Sequence, residues 1–242
     1  MLQIFSKEFS SFLNSLIAYV VVGVFLLAIG LLMWVFPDSS VLDYGYADMG
    51  TLFSLGPYVL IFLIPAITMR SFSEEKKGGT MELLFTKPLT DWDIILGKFL
   101  ASFALVLLAL LPTLVYYYSL YTLGNPRGNI DTPGIIGSYI GLAMLAGAFS
   151  AIGVMASSMS ANQIVAFILA AFLCYLTFSG FDAVSGLASW GTSGLLIKQL
   201  GILFHYDSMS RGLIDSRDLV YFASVIFLAL SITKLILSSR QW

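Results

Sequence analysis

Apolar and polar positions follow two regimes along the chain. Over the first sixteen residues they interleave at near-helical spacing. Leu2, Ile4, Phe5, Phe9, Phe12, Leu13 and Leu16 fall on one side and Gln3, Lys7, Ser10, Ser11 and Asn14 on the other. This predicts an amphipathic helix over 1–16 lying in a membrane interface. Beyond it come apolar runs of roughly 20 residues, the length that crosses a hydrocarbon core. They predict six spans at 17–36, 52–69, 94–121, 135–157, 164–181 and 220–237, so the expected fold is all-α and polytopic. The second run holds Pro57 and Pro65 and the third holds Pro112, which predicts bends that neighbouring helices tolerate. Thr90 and Asp93 have the spacing of a capping box before the third run. A helix from Asp91 to Tyr121 would be roughly 46 Å long at 1.5 Å per residue. It must project from the membrane or tilt. The fourth run is dense in Gly and Ala, which lets backbones approach closely and predicts an interior position.

Composition agrees. Hydrophobic residues make up 58% of the 242 and charged residues 11%, with a mean hydropathy of +0.91. A soluble domain carries about 25% charged residues. The first apolar run is too long for a signal-peptide core and has no convincing cleavage site, so it reads as a retained span. The net charge of −2 gives no basis for a nucleic-acid partner. Cationic loop residues divide unevenly between the two sides. Lys7, Arg70, Lys76, Lys77, Lys87, Lys98, Lys234 and Arg240 fall on one, and Arg127, Lys198, Arg211 and Arg217 on the other. The positive-inside rule places the first side, with both termini, in the cytoplasm.

Candidate chemistry is sparse. No phosphate-binding Gly-x-x-x-x-Gly-Lys-Ser/Thr loop occurs, and Gly97-Lys98 lacks the upstream glycine. No catalytic elbow or zinc motif is present. The single cysteine, Cys174, lies in an apolar run and reads as a buried small residue. The single histidine, His205, reads as an interfacial hydrogen-bonding residue. Tyr116, Tyr117 and Tyr118 read as an interface belt. No Asp or Glu lies mid-span, which argues against a buried carboxylate relay. Lys98 and Lys234 are expected to snorkel from the span ends. The chain reads as a non-enzyme that binds no metal or cofactor, and any transport must be powered from outside it.

The polar interruption at 70–93 points to the source of that power. Between Arg70 and Lys98 lie ten of the chain's twenty-six charged residues. Within this island Gly78-Gly79 lets the backbone turn, Thr80 can cap a helix of Met81–Phe85, and Pro88 helps to stop it. Such a helix suits a groove on a soluble partner, although a solvated loop tucked against the membrane fits the composition equally well. The outer segment 182–219 is expected to hold one or two short interfacial or re-entrant helices bent at Gly212, with Asp207 and Arg211 at i, i+4 spacing.

The stretch Glu74-Glu75-Lys76-Lys77-Gly78-Gly79-Thr80-Met81-Glu82-Leu83-Leu84, followed by Thr86-Lys87-Pro88-Leu89, resembles the first cytoplasmic loop of ABC exporter permeases of the second type. The segment His205–Phe222 resembles that family's helical hairpin before the last span. Within the family, Tyr206–Leu219 is most similar to the gliding-motility-associated permease subunits of Bacteroidetes. The resemblance implies a coupling helix that docks on a separate cytoplasmic ATPase through Glu74, Glu75, Gly78, Gly79, Thr80, Glu82, Leu83 and Leu84. It implies an outer hairpin carrying His205, Asp207, Arg211, Gly212, Asp215, Arg217 and Asp218. ATP and Mg would sit on the ATPase. A second permease copy, or a companion gliding-associated membrane subunit, would complete the assembly. The alternative is a membrane scaffold that recruits a soluble ATPase without moving a substrate.

Overall fold

The computed structural model describes residues 1–43, 47–81, 89–186 and 193–239. Among them every regular element is helical. Helix α1 is Leu2–Leu13 and α2 is Leu16–Trp34. Then come α3, Gly50–Thr68, α4, Ser73–Gly78, and α5, Asp91–Leu110. A 3₁₀ turn at Leu111–Thr113 leads into α6, Leu114–Leu123. Helix α7 is Thr132–Met159 and α8 is Gln163–Tyr175. A π-helical segment, Leu176–Gly180, joins α8 to α9, Phe181–Ser185. Helices α10, Ser193–Gln199, α11, Ile202–Met209, and α12, Ser216–Ser238, follow among the described residues.

Among the described residues, five helical runs are long and apolar enough to cross a membrane: Gly50–Gly78, Asp91–Leu123, Thr132–Met159, Gln163–Ser185 and Ser216–Ser238. The pair α1 and α2, bent by 67°, makes a sixth candidate. The chain is a multi-pass membrane protein.

Local chemistry sets the helix ends. Thr90 caps α5 by accepting from the Asp93 N–H, and Asp93 reaches back to the Thr90 N–H, so the predicted capping box forms. Asp131 accepts from Gly134 N at the start of α7, and Asn162 from Ile164 N at the start of α8. Asp215 accepts from Arg217 N, so the last helix begins at 216, four residues before the apolar run. Pro112 cannot donate a backbone hydrogen bond, and the third run tightens into its 3₁₀ turn there.

Helix α7 is the central strut. Of its most apolar stretch, 83% is buried, against 22% for α8 with its extension and for α12. It packs against α3, α5, α8, α11 and α12. Its glycines allow this. A Cβ on Gly153 would lie 2.1 Å from Thr68 Oγ1, and one on Gly141 would lie 2.8 Å from Met209 Cβ. Its 28 residues reach about 42 Å at 1.5 Å per residue. One end therefore meets the segment before α12, the hairpin end. The other meets α4, the island end. The outer faces of α2 and α8, with Val20, Val24, Leu27, Ile164, Ile168 and Phe172, are exposed, as suits lipid contact.

Candidate functional site

At the island end the backbone breaks between α3 and α4, and a side chain from α7 bridges the break. Ser157 Oγ accepts from Phe72 N at 3.0 Å and Ser73 N at 3.2 Å and donates to the Met69 carbonyl at 3.0 Å. Helix α4 has no capping side chain of its own at Phe72, so Ser157 serves as its N-cap in trans. Lys76 Nζ donates to the Ser158 carbonyl. Two adjacent serines of α7 thus hold the start and the middle of the short helix.

The second fastening is Lys98 of α5. It does not snorkel as its position near a span end suggested. Its side chain is 2% exposed, and Nζ donates to Glu75 Oε1 at 2.9 Å, Glu8 Oε1 at 3.0 Å and the Ser71 carbonyl at 2.6 Å. The ammonium also lies 5.2 Å from the centroid of the Phe72 ring. A buried ammonium has three protons to place, and here each finds an oxygen, one on α1 and two on the stretch 71–75. Lys7 adds weaker pairs to Glu8 at 3.4 Å and to Glu75 at 3.8 Å. Helices α1, α4 and α5 therefore meet at one cation. Gly97, next to Lys98, makes the approach possible, since a Cβ there would lie 2.8 Å from Ile4 Cγ2.

The candidate docking residues separate by exposure. Glu74, Gly78, Gly79 and Thr80 are exposed, whereas Glu75 is turned inward onto Lys98. Gly79 closes α4 with φ +66°, a left-handed conformation that favours glycine. Met81 is buried, the first residue of the apolar cluster to pack back onto the fold. Glu82, Leu83 and Leu84 lie outside the described residues.

At the hairpin end His205 is the hub. Its Nδ1 lies 2.7 Å from Asp218 Oδ1 and its Nε2 3.0 Å from the Gln199 carbonyl. A carbonyl only accepts, so Nε2 carries a proton. The ring stacks on Tyr221 at 3.9 Å, and Tyr221 Oη donates to the Leu200 carbonyl. Asp218 is buried, whereas Arg211, Asp215 and Arg217 are exposed. Asp207 and Arg211 do not form the expected i, i+4 pair. Helix α11 ends at Met209, so Arg211 is out of helical register. Burial raises the Asp207 pKa, and the charges of Arg211 and Lys198 offset it in part. Burial of the hydrogen-bonded Asp215 is slight, and the Arg217 N–H holds its carboxyl below the usual value. Gly212 turns the chain with φ +79° and packs on α7, where a Cβ would meet Gly134 Cα at 2.5 Å. Tyr206 Oη donates to the Phe53 carbonyl, and Ser138 Oγ donates to the Ser210 carbonyl.

No group of His, Cys, Asp and Glu among the described residues could hold a metal ion. Charged and hydroxyl side chains fasten a short, largely exposed helix to the longer ones. Glu8, Ser157 and the buried state of Lys98 were missed in the sequence. The available signal was a lysine beside a glycine, one turn inside an apolar run.

A model of the family described as "ABC-2 family transporter protein" matches residues 36–233. Comparison with curated proteins finds no match to the chain.

Proposed function

The chain belongs to the ABC-2 transporter family, whose permeases are membrane components that pair with a cytoplasmic ABC ATPase, and from that premise we propose an ATP-driven exporter subunit whose island is its power inlet. It sits in the bacterial inner membrane with both termini and the island in the cytoplasm. ATP and Mg bind to the partner. The docking surface comprises Glu74, Gly78, Gly79 and Thr80, continued by Glu82, Leu83 and Leu84. Glu75 holds the lever from behind rather than touching the ATPase. The similarity of Tyr206–Leu219 to gliding-motility permeases supports a role in that machinery. There the second half of the transporter is another copy of this chain or a companion membrane subunit.

The observation that carries this reading is the joint at α4. A loop that merely recruited a protein would need no rigid connection to the spans. This helix is fastened to α5 and α1 through Lys98 and to α7 through Ser157. A displacement at Thr80 is therefore passed to three helices. Replacing Leu83 and Leu84 together by Asp is expected to abolish ATPase co-purification in mild detergent, and unchanged co-purification overturns the docking assignment. ATPase turnover measured with and without the permease separates coupling from scaffolding, because a scaffold leaves turnover unchanged.

A further inference from the structure

A cavity of about 220 Å³ lies beside Lys98, between α1, α2, α3, α4 and α5, and neither docking nor coupling requires it. Its charged lining is balanced: Lys7, Arg70 and Lys98 against Glu8, Glu74 and Glu75. Its apolar lining lies deeper along the same helices. Leu105 is seven residues beyond Lys98 on α5, roughly 10 Å further into the span. Ala66 stands one turn inward from Arg70, and Phe12 of α1 also faces the cavity.

Two polar atoms on this wall lack partners. Arg70 Nε and Glu75 Oε2 are both buried with no hydrogen bond. Buried polar groups rarely go unpaired. The first can only donate and the second can only accept. Arg70 and Glu74 also form no ion pair among the described residues. A lone anion or a lone cation would satisfy one orphan and upset the charge balance. A group bearing both signs satisfies both.

We propose that this cavity binds a phospholipid headgroup carrying a phosphate and a primary ammonium, that is, phosphoethanolamine. A phosphate oxygen accepts from Arg70 Nε–H, the ammonium donates to Glu75 Oε2, and the glycerol end rests on the apolar floor. A trimethylammonium headgroup has no proton to donate, and a glycerol headgroup has no cation. The site therefore discriminates by hydrogen-bond donors as well as charge. This inference is independent of the ATPase.

The full chain is placed in nanodiscs of equal parts phosphatidylethanolamine, phosphatidylcholine and phosphatidylglycerol, extracted in mild detergent, and weighed by native mass spectrometry. Retained phosphatidylethanolamine is expected to exceed the other two by about tenfold, the scale of one charge-assisted hydrogen bond. Arg70→Gln is expected to return retention to the bulk ratio, while Lys77→Gln, away from the cavity, leaves the enrichment intact. Retention that mirrors the bulk, or enrichment that survives Arg70→Gln, overturns the proposal. Should Arg70→Gln fail to fold, the unaltered chain is tested against headgroups with one, two and three N-methyl groups. Retention must fall along that series, and equal retention of the trimethyl form overturns the proposal. Soluble glycerophosphoethanolamine is the last arm. If it raises the melting temperature as much as the lipid does, the ligand is a soluble compound and the lipid assignment is wrong.

Discussion

The two ends of α7 are fastened by different physics. At the island end, side chains do the joining: Ser157 and Lys76 fasten α4 to α7, and Lys98 fastens α4 in turn to α5 and α1. At the hairpin end the main contact is backbone against backbone, with Gly212 lying on Gly134 and Gly137. Steric contact of that kind has one arrangement and no alternative partners. Polar fastening has direction, and its bonds can be exchanged for others. The end bearing the exposed helix is thus the one whose geometry can reset, while the other anchors the strut.

The largest expected effect breaks the polar side. Lys98→Met leaves the half-buried Glu8 and Glu75 with only the exposed Lys7 beside them, at 3.4 and 3.8 Å. Removing one partner from a buried charge network costs about 3–5 kcal/mol. Thermal unfolding in detergent should show a large loss, and ATPase coupling should fall with it. A melting temperature equal to the parent's would mean that the cluster does not hold the island end.

Next comes the steric side. Gly212→Ala forces a side chain into a left-handed turn and drives a Cβ to 2.5 Å from Gly134 Cα. Strain and overpacking together should cost about 2–3 kcal/mol. Gly134 and Gly137 cannot recede, because they are backbone in a packed helix. The same melting assay checks this, and the loss should persist in high salt, which does not act on steric contact.

Much of this comparison was legible in the sequence at the hairpin end and little at the island end. Gly density announced the close approach of α7, because a missing Cβ is a local property that needs no partner to be recognised. Gly212 and the Thr90–Asp93 cap were readable for the same reason. Lys98 was not. Its partners lie 23 and 90 residues away, and only the fold brings them together. A lysine near a span end snorkels unless something sequesters it, and no spacing rule shows that Glu8 will fold back to do so. Ser157 was hidden too, since a serine in a Gly/Ala-rich helix reads as a small packing residue. The Asp207–Arg211 spacing misled because the helix ended two residues early.

Ser157→Ala tests whether the joint transmits force. It strands the N–H groups of Phe72 and Ser73, a cost of about 1–2 kcal/mol, smaller than either change above. The exposed face of α4 is untouched, so the ATPase should still co-purify while permease-dependent stimulation of its turnover drops. Loss of binding together with stimulation would make Ser157 part of the docking surface instead.

The smallest effect lies back at the hairpin and has the opposite sign. Burial raises the Asp207 pKa above its ordinary 3.8, with Arg211 and Lys198 compensating in part. A carboxyl raised in the folded state binds its proton more tightly there than in the unfolded chain. Its contribution to stability is therefore present below the ordinary value and is lost as pH rises through the folded one. At neutral pH the parent carries that penalty and Asp207→Asn does not. The variant should melt slightly higher at pH 7, by about half a kcal/mol or less, and the gap should close as the pH is lowered toward 4. A variant that melts lower at pH 7 would show that Arg211 and Lys198 outweigh burial. The hairpin end would then rely on charge as the island end does, and the division between the two would lose its sharpest edge.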